Sequence, residues 1–467
     1  MVDYNIIKEE RIKKNLTVTD LANLCSVSAS YITKIEKGNV KITDSMQNKL
    51  AEVLNLKKGL RFEFKANDAT FLNNKINSVH RWYPYIEGFS QGFVDEILDK
   101  YNSNVVVYDP FNGSGTTSLT CAYRGVKPIA SEINPLMRFI ANTKVNTVRN
   151  IYVGNKLSKL INEVELMNSY QFEEDIDVWQ YMNDCYKGMD FFNDYVIKQI
   201  ANIKKFIKKI DDDDILNLFK LALASITVES SNMIRSVDLR RKKPNELNRI
   251  PKDVKKRFCD QLGFIVNDIV NNNDRDIAEL KFINDNAKIL NSEHYNTVDV
   301  IITSPPYVNG TNYFRNTKLE LWVLDYISSN KDLGELRTKA ITAGINNVSS
   351  RIIIENTFDS IENVVSELDE VSPDKRIPKL IRAYFSDMYK VFGNFNRILK
   401  NGGKIYFDIG DSQYYGVHIP VFQFITEIAQ MNGFVLDHQE VLRNRKSKNG
   451  MTLSQELLIF KKKIEVN

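Results

Sequence analysis

The chain has 467 residues, 43% of them hydrophobic and 26% charged, with 63 Lys and Arg against 59 Asp and Glu for a net charge of +4. This composition excludes a disordered chain, and the near-balance of charge leaves any basic surface to be local. The longest apolar stretch, Ile215–Val228, is interrupted by Asn217 and Lys220, and Met1-Val2-Asp3-Tyr4 lacks a basic-then-apolar signal pattern, so a cytoplasmic protein without a membrane segment is expected.

The first sixty residues read as short helices. Ile6, Ile7, Arg11 and Ile12 recur at helical spacing, and Asn15-Leu16 closes that turn of chain. Thr19 is the expected cap of a second helix that turns Leu21, Ala22 and Leu24 inward. After the turn Ser26-Val27-Ser28, Ser28 caps a third helix, Ala29 to Lys37, with Ile32 and Ile35 inward and Gly38 as terminator. A fourth, Ser45 to Leu54, buries Met46, Leu50 and Val53. Two short helices across such a turn make a helix-turn-helix, whose second helix can enter a major groove. Its outward positions, Ser28, Ser30, Tyr31, Thr33 and Lys34, suit base edges and phosphates.

Val105 to Tyr108 reads as a buried parallel strand running into Asp109-Pro110-Phe111-Asn112-Gly113-Ser114-Gly115-Thr116-Thr117, then a helix from Ser118 to Arg124. Strand, glycine turn and helix form the first unit of a doubly wound sheet, whose ligands sit beyond the carboxyl ends of the strands. A second strand, Lys127 to Ala130, ends at Ser131-Glu132-Ile133-Asn134. Glu132, about twenty residues beyond the turn, is placed to accept hydrogen bonds from ribose hydroxyls. The turn is neither G-x-x-x-x-G-K-S/T nor G-x-G-x-x-G, which disfavours triphosphate and dinucleotide sites.

A further buried strand, Asp299 to Ile302, enters Thr303-Ser304-Pro305-Pro306-Tyr307. Two prolines stiffen the backbone and remove two N–H donors, leaving carbonyl acceptors, and Tyr307 adds an aromatic face. A planar exocyclic amine needs such an acceptor-lined slot with a stacking ring. The four cysteines (Cys25, Cys121, Cys185, Cys259) and four histidines are scattered, so reduced thiols are expected and neither a disulfide framework nor a metal site is.

Together, D-P-F-N-G-S-G-T-T and T-S-P-P-Y resemble the amino-methylating DNA methyltransferases, a branch of the class I S-adenosylmethionine-dependent fold. The run L-A-N-L-C-S-V-S-A-S-Y-I-T-K-I-E-K-G resembles the Cro/CI-type helix-turn-helix family over about residues 4 to 56. Looser matches are His80 to Ser90, which looks like the segment closing over the methionine end of the cofactor, and Phe282 to Ala287, where Asp285 would bind the adenine amine. Leu399 to Asp411 resembles a late strand, and Glu440 to Arg445 with Glu456 to Phe460 an edge hairpin. The resemblance implies an α/β class I methyltransferase with helical insertions and an N-terminal all-α helix-turn-helix domain. It also implies S-adenosylmethionine as cofactor, held by Phe89, Ser90, Asp109, Phe111, Gly113, Gly115, Thr116, Glu132, Asn134 and Asp285, with Ser304, Pro305, Pro306 and Tyr307 at the reacting base. No cysteine follows a proline, which excludes the ring-carbon chemistry of the cysteine-dependent family. Ser before Pro-Pro-Tyr favours cytosine N4 over adenine N6. An RNA base methyltransferase and a non-catalytic regulator are the remaining alternatives.

The expected order is 1–60 helix-turn-helix, 61–150 cofactor half, 151–280 helical insertion, 281–325 catalytic half, 326–382 second insertion and 383–467 end of the sheet. In the first insertion, helices are expected at Tyr152–Met167, Val196–Ile210, Asp214–Thr227 and Pro251–Asn271. Its basic stretch, including Arg235, Arg240, Arg241, Lys242 and Arg257, is a candidate phosphate track. In the second, Gly344 to Asn347 is expected as a mobile loop, and Asn309 to Arg315 as a loop touching DNA or closing the pocket. Expected partners are double-stranded DNA, a cognate restriction endonuclease and, as an option, a second copy.

Overall fold

The structure, a computed structural model, describes residues 69–464 except 86–87, 236–237, 273–275, 309–312, 350–351 and 448–449, and before them 7–8, 11–12, 14, 16–25, 27–37, 40, 46, 49–50 and 53–54. The described residues fall into two compact units, one within 1–65 and 95–102, the other within 66–94 and 103–467.

In the first unit, helix α1 spans Val18–Leu24 and helix α2 Ala29–Glu36. Thr17, not Thr19, caps α1. Its hydroxyl accepts from Asp20 N at 3.1 Å while Asp20 returns a bond to Thr17 N at 2.8 Å, a reciprocal box that a cap two residues later could not make. Leu24, expected inside, is 56% exposed, because the buried side of this seven-residue helix is already made by Leu21 and Ala22. Ser28 caps α2 as expected, accepting from Tyr31 N at 3.2 Å. Ile32 and Ile35 pack with Ile7, Leu21, Cys25, Met46, Leu50 and Leu54, whereas Val53 is half-buried. Arg11 closes this core by a fork to Glu36 (2.6 and 3.1 Å). Ile6, Asn15, Ser26, Gly38 and Ser45 lie outside the described residues.

The second unit is built on seven strands: β1 Val106–Asp109, β2 Lys127–Ser131, β3 Lys281–Asn284, β4 Val298–Thr303, β5 Leu399–Gly410, β6 Phe434–Lys446 and β7 Thr452–Lys462. Their order is β6-β7-β5-β4-β1-β2-β3. The first five are mutually parallel, and β7 runs antiparallel between β5 and β6. The chain leaves β1 towards β2 and β3 and later returns to the other side through β4 and β5. The reversal point is therefore the β1/β4 junction, where a crevice opens in sheets of this kind. β4 is buried along nearly all its length because apolar clusters cover both faces of the sheet.

The first insertion is helical, as expected, with two differences. The helix anticipated from Tyr152 is broken: Val148–Val153 ends at Gly154, Asn155 takes φ +50°, and Leu157–Ser169 begins afresh. The basic stretch also contains a short hairpin, Met233–Arg235 with Leu239–Arg241. The second insertion folds as helices Asn330–Lys339 and Asp359–Val371 before the long helix Arg376–Ile398. Among the described residues no helix is long and apolar enough to cross a membrane.

Candidate active site

The two motif loops leave adjacent strands. β1 and β4 pair in register at Val107–Val300 and Tyr108–Ile301, so Asp109 and Thr303 end side by side. Thr303 Oγ1 donates to Asp109 Oδ1 at 2.7 Å, and the Phe111 N–H donates to the same oxygen at 3.0 Å. Asp109 is only 3% exposed; burial pushes its carboxyl up to about 6, against the lowering pull of Thr303, Thr117 and Phe111. Gly113 and Gly115 both take positive φ (+49° and +88°). A Cβ on Gly115 would stand 2.8 Å from Ala141 Cβ, so glycine is what lets the helix Pro135–Asn142 pack against the turn.

Glu132, at the end of β2, braces this turn. It accepts from Gly113 N at 2.7 Å and Asn134 N at 2.8 Å, and burial raises it to about 7. Asn134 caps the helix Pro135–Asn142 through Leu136 N (3.1 Å) and donates to Thr317 Oγ1 at 3.0 Å. Glu132, Asn134, Asp285, Phe111, Gly113 and Pro306 share one cavity. Asp285, at its exposed rim, pairs with Arg138, whose guanidinium lies 4.7 Å over the Phe282 ring. Two carboxylates lining one partly apolar cavity are the acceptor set that an adenosine group requires.

A second, larger cleft of about 630 Å³ adjoins it, lined among others by Phe89, Asp109, Thr116, Ser304, Pro305 and Tyr307. Ser304, Phe111, Gly113, Tyr85 and Tyr313 line both spaces. The Tyr307 ring lies against Gly410, where a Cβ would come within 2.9 Å of it. Its hydroxyl donates to Asp408 Oδ1 at 3.1 Å, and burial, then Asp408, raises its pKa well above that of a free tyrosine. Asp408 itself is 1% exposed and receives Gln455 Nε2 at 2.7 and 2.9 Å as well as the Tyr307 hydroxyl. Burial nonetheless pushes it up to about 6. Sequence reasoning passed over this carboxylate, although an acid inside the apolar run Ile405 to Ile409 was a usable signal.

Of the remaining expected residues, Phe89 is buried against Phe93 (4.7 Å, stacked) and its carbonyl accepts from Asn74 Nδ2 at 3.2 Å. Asn74, also missed from sequence, bonds Thr116 Oγ1 at 3.3 Å and so joins the upstream segment to the glycine turn. Ser90 and Gly115 stand behind the walls and line neither cavity. Of the loop expected near catalysis, residues 309–312 lie outside the described residues and Tyr313 lines both cavities. Gly344 to Asn347 forms a short 3₁₀ turn against the same spaces.

Much of the basic stretch is spent on the protein itself. Arg235 is buried against Glu320, which also accepts from Tyr83 OH at 2.7 Å. Deleting one partner of such a buried pair typically costs ~3–5 kcal/mol. Arg240 forks onto Glu246 (2.8 and 2.9 Å), Arg241 reaches Asp190 at 2.6 Å, and Arg257 holds Glu229 at 2.5 Å. Arg240 and Arg241 line neither cavity. In the first unit Ser28, Ser30 and Lys34 are exposed, and Tyr31 and Thr33 half-buried, on the outward side of α2.

The strand order, with a glycine turn after β1 and an S-P-P-Y loop after β4, is that of the class I methyltransferase fold expected from the sequence. The helix-turn-helix family matches residues 7–59. The chain is 23% identical to the Type II methyltransferase M.AvaI of Nostoc sp., covering 93% of this chain and 94% of the relative. It is 25% identical to the Type II methyltransferase M.BsoBI of Geobacillus stearothermophilus, covering 84% and 86%. Among solved structures, a SAM-dependent methyltransferase from Methanosarcina mazei is similar at a TM-score of 0.30 and 9% identity, over 79% of this chain and 97% of that one. The chain is thus similar to Type II methyltransferases over most of its length and to the helix-turn-helix family over residues 7–59.

Proposed function

We propose that the protein methylates the exocyclic amine of a base swung out of duplex DNA, cytosine N4 ahead of adenine N6, as the modification arm of a restriction-modification or related defence system. The observation that carries this reading is the sharing of Ser304 between the acid-lined cavity beyond β2 and the cleft beyond β4. A donor in one and a base in the other meet at that residue.

S-adenosylmethionine, when bound, supplies a methyl group on a positively charged sulfur. Glu132 and Asp285 accept from its ribose hydroxyls and adenine amine. Phe89, Asp109, Phe111, Gly113, Thr116 and Asn134 shape the walls, with Ser90 and Gly115 behind them. The target amine is a weak nucleophile because its lone pair is delocalised into the ring. Ser304 Oγ and the Pro305 carbonyl accept its two N–H bonds, which favours a tetrahedral nitrogen with a localised lone pair. Pro306 stiffens the loop, and Tyr307, held between Gly410 and Asp408, stacks on the base. Stacking of this kind is worth ~1–3 kcal/mol per base. Serine rather than an acidic or amide residue before Pro-Pro-Tyr supports cytosine. The outward side of α2 supports a second DNA contact that adds affinity or represses the protein's own promoter. Arg240 and Arg241 remain phosphate candidates only by exchanging their present carboxylate partners. Mass spectrometry of nucleosides from DNA treated with enzyme and labelled cofactor tests the reading: N4-methylcytosine is expected, N6-methyladenine would reverse the base choice, and modification of RNA alone would overturn it.

A further inference from the structure

The edge hairpin carries two arginines to the mouth of the same cleft. β6 follows β7 with Val441 opposite Glu456 and Arg443 opposite Gln455, so Leu442 is an extra, bulged residue. A bulge changes which face the following side chains take. Here it puts Arg443 in the row that continues through Gln455 to Gly410, the glycine under the Tyr307 ring. Arg445, two residues on, shares that face, about 7 Å further along the strand. Both are exposed and both line the larger cleft.

Their hydrogen bonding differs from that of four arginines of the basic stretch. Arg443 Nε donates to Gln455 Oε1 at 2.6 Å, and Arg445 Nη2 donates to the Asp411 carbonyl at 2.8 Å. Among the described residues neither forms an ion pair, whereas Arg235, Arg240, Arg241 and Arg257 each hold a carboxylate. The acids nearby are engaged elsewhere: Asp408 by Gln455 and Tyr307, Asp411 by His418 at 2.8 Å, and Glu456 by Gln439 and Ser454. A guanidinium has five N–H donors, so each keeps donors in a planar fork suited to phosphate.

We infer that Arg443 and Arg445 clamp the backbone phosphates on either side of the extruded nucleotide. The inference rests on the base-flipping reading above and adds the element that holds the strand while the base is out. A nucleotide rotated into the cleft carries its own phosphates to the cleft mouth, where these cations stand. Backbone contacts of this kind fix position and carry no sequence information.

The test uses the full-length protein, plasmid DNA and labelled cofactor, with kcat/KM measured at 50 and 200 mM NaCl. Each phosphate contact contributes ~0.9 to the slope of log affinity against log salt. Losing two makes the R443Q/R445Q double variant about tenfold less salt-sensitive over that range, with a raised KM for DNA. Arg445→Gln alone, which leaves the Arg443–Gln455–Asp408 contacts in place, loses about three- to fourfold of that sensitivity. The R443K/R445K pair keeps the wild-type slope, and cofactor binding by calorimetry stays unchanged in all three. A wild-type slope in both glutamine variants, whatever their activity, overturns the inference and leaves the functional reading standing. A wild-type chain that leaves DNA unmodified overturns both.

Discussion

Thr303→Val isolates the bond that ties the two motif loops together. Valine nearly matches threonine in volume, so no cavity opens, and the change is loss of the 2.7 Å hydroxyl bond to Asp109. A hydrogen bond to an ionised partner is worth ~1.5–3 kcal/mol and a neutral one ~0.5–1.5 kcal/mol. Asp109 is raised from an ordinary 3.8 to about 6, so between these values the folded state binds the proton that the unfolded state has lost. Stability from this group is therefore complete below about pH 4 and declines as pH rises through 6, by about 3 kcal/mol in all. Without Thr303 the carboxyl climbs further and the decline extends to higher pH. Urea unfolding should show T303V destabilised by ~1 kcal/mol at pH 4.5 and ~2 kcal/mol at pH 8. Equal losses at the two pH values, or a variant more stable at pH 8, would refute the charged bond between the loops.

Ser304→Ala with Tyr307→Ala should abolish methyl transfer while calorimetric cofactor binding persists, since the acid-lined cavity lies largely on other strand ends; undiminished transfer would reject the base pocket. Glu132, raised to about 7, is the stronger acceptor for ribose hydroxyls when ionised, so cofactor affinity should rise with pH between 6 and 8, and Glu132→Gln should bind weakly with no such rise. Asp408, raised to about 6, holds the Tyr307 hydroxyl most strongly when ionised, so kcat should fall as pH drops through 6, a limb that Asp408→Asn removes along with most activity. Gly115→Ala, forced against Ala141 at φ +88°, should lose ~1–3 kcal/mol of stability by urea unfolding. Tyr31→Ala with Lys34→Ala in the full chain should weaken binding to the protein's own promoter by gel shift and spare methylation.

What was legible from sequence follows from how locally each feature is encoded. The apolar runs of β1, β2 and β4 and the loops that end them are contiguous, so strand, turn and adjacency could be read directly. Ser28 could be placed as a cap because its acceptor role is local, whereas Thr19 lost to Thr17 because the reciprocal Asp20 bond was not weighed. Asn74, Asp408 and Gln455 carry no local pattern; their partners lie 12 to 386 residues away. The basic stretch suggested an open cationic surface, yet the acids that engage it, Asp190, Glu229 and Glu320, sit on distant segments that only the fold brings near. The edge hairpin was read correctly from sequence, whereas the bulge at Leu442 that sets the face of Arg443 and Arg445 is invisible there.

The account stands on methyl transfer across Ser304 from one strand end to its neighbour. The most direct test is nucleoside mass spectrometry after incubating the purified chain with plasmid DNA and S-adenosylmethionine labelled at the methyl group. Label in N4-methylcytosine that disappears with Ser304→Ala and Tyr307→Ala is the predicted result. Label absent from every nucleoside, from a folded protein that binds the cofactor, would contradict it.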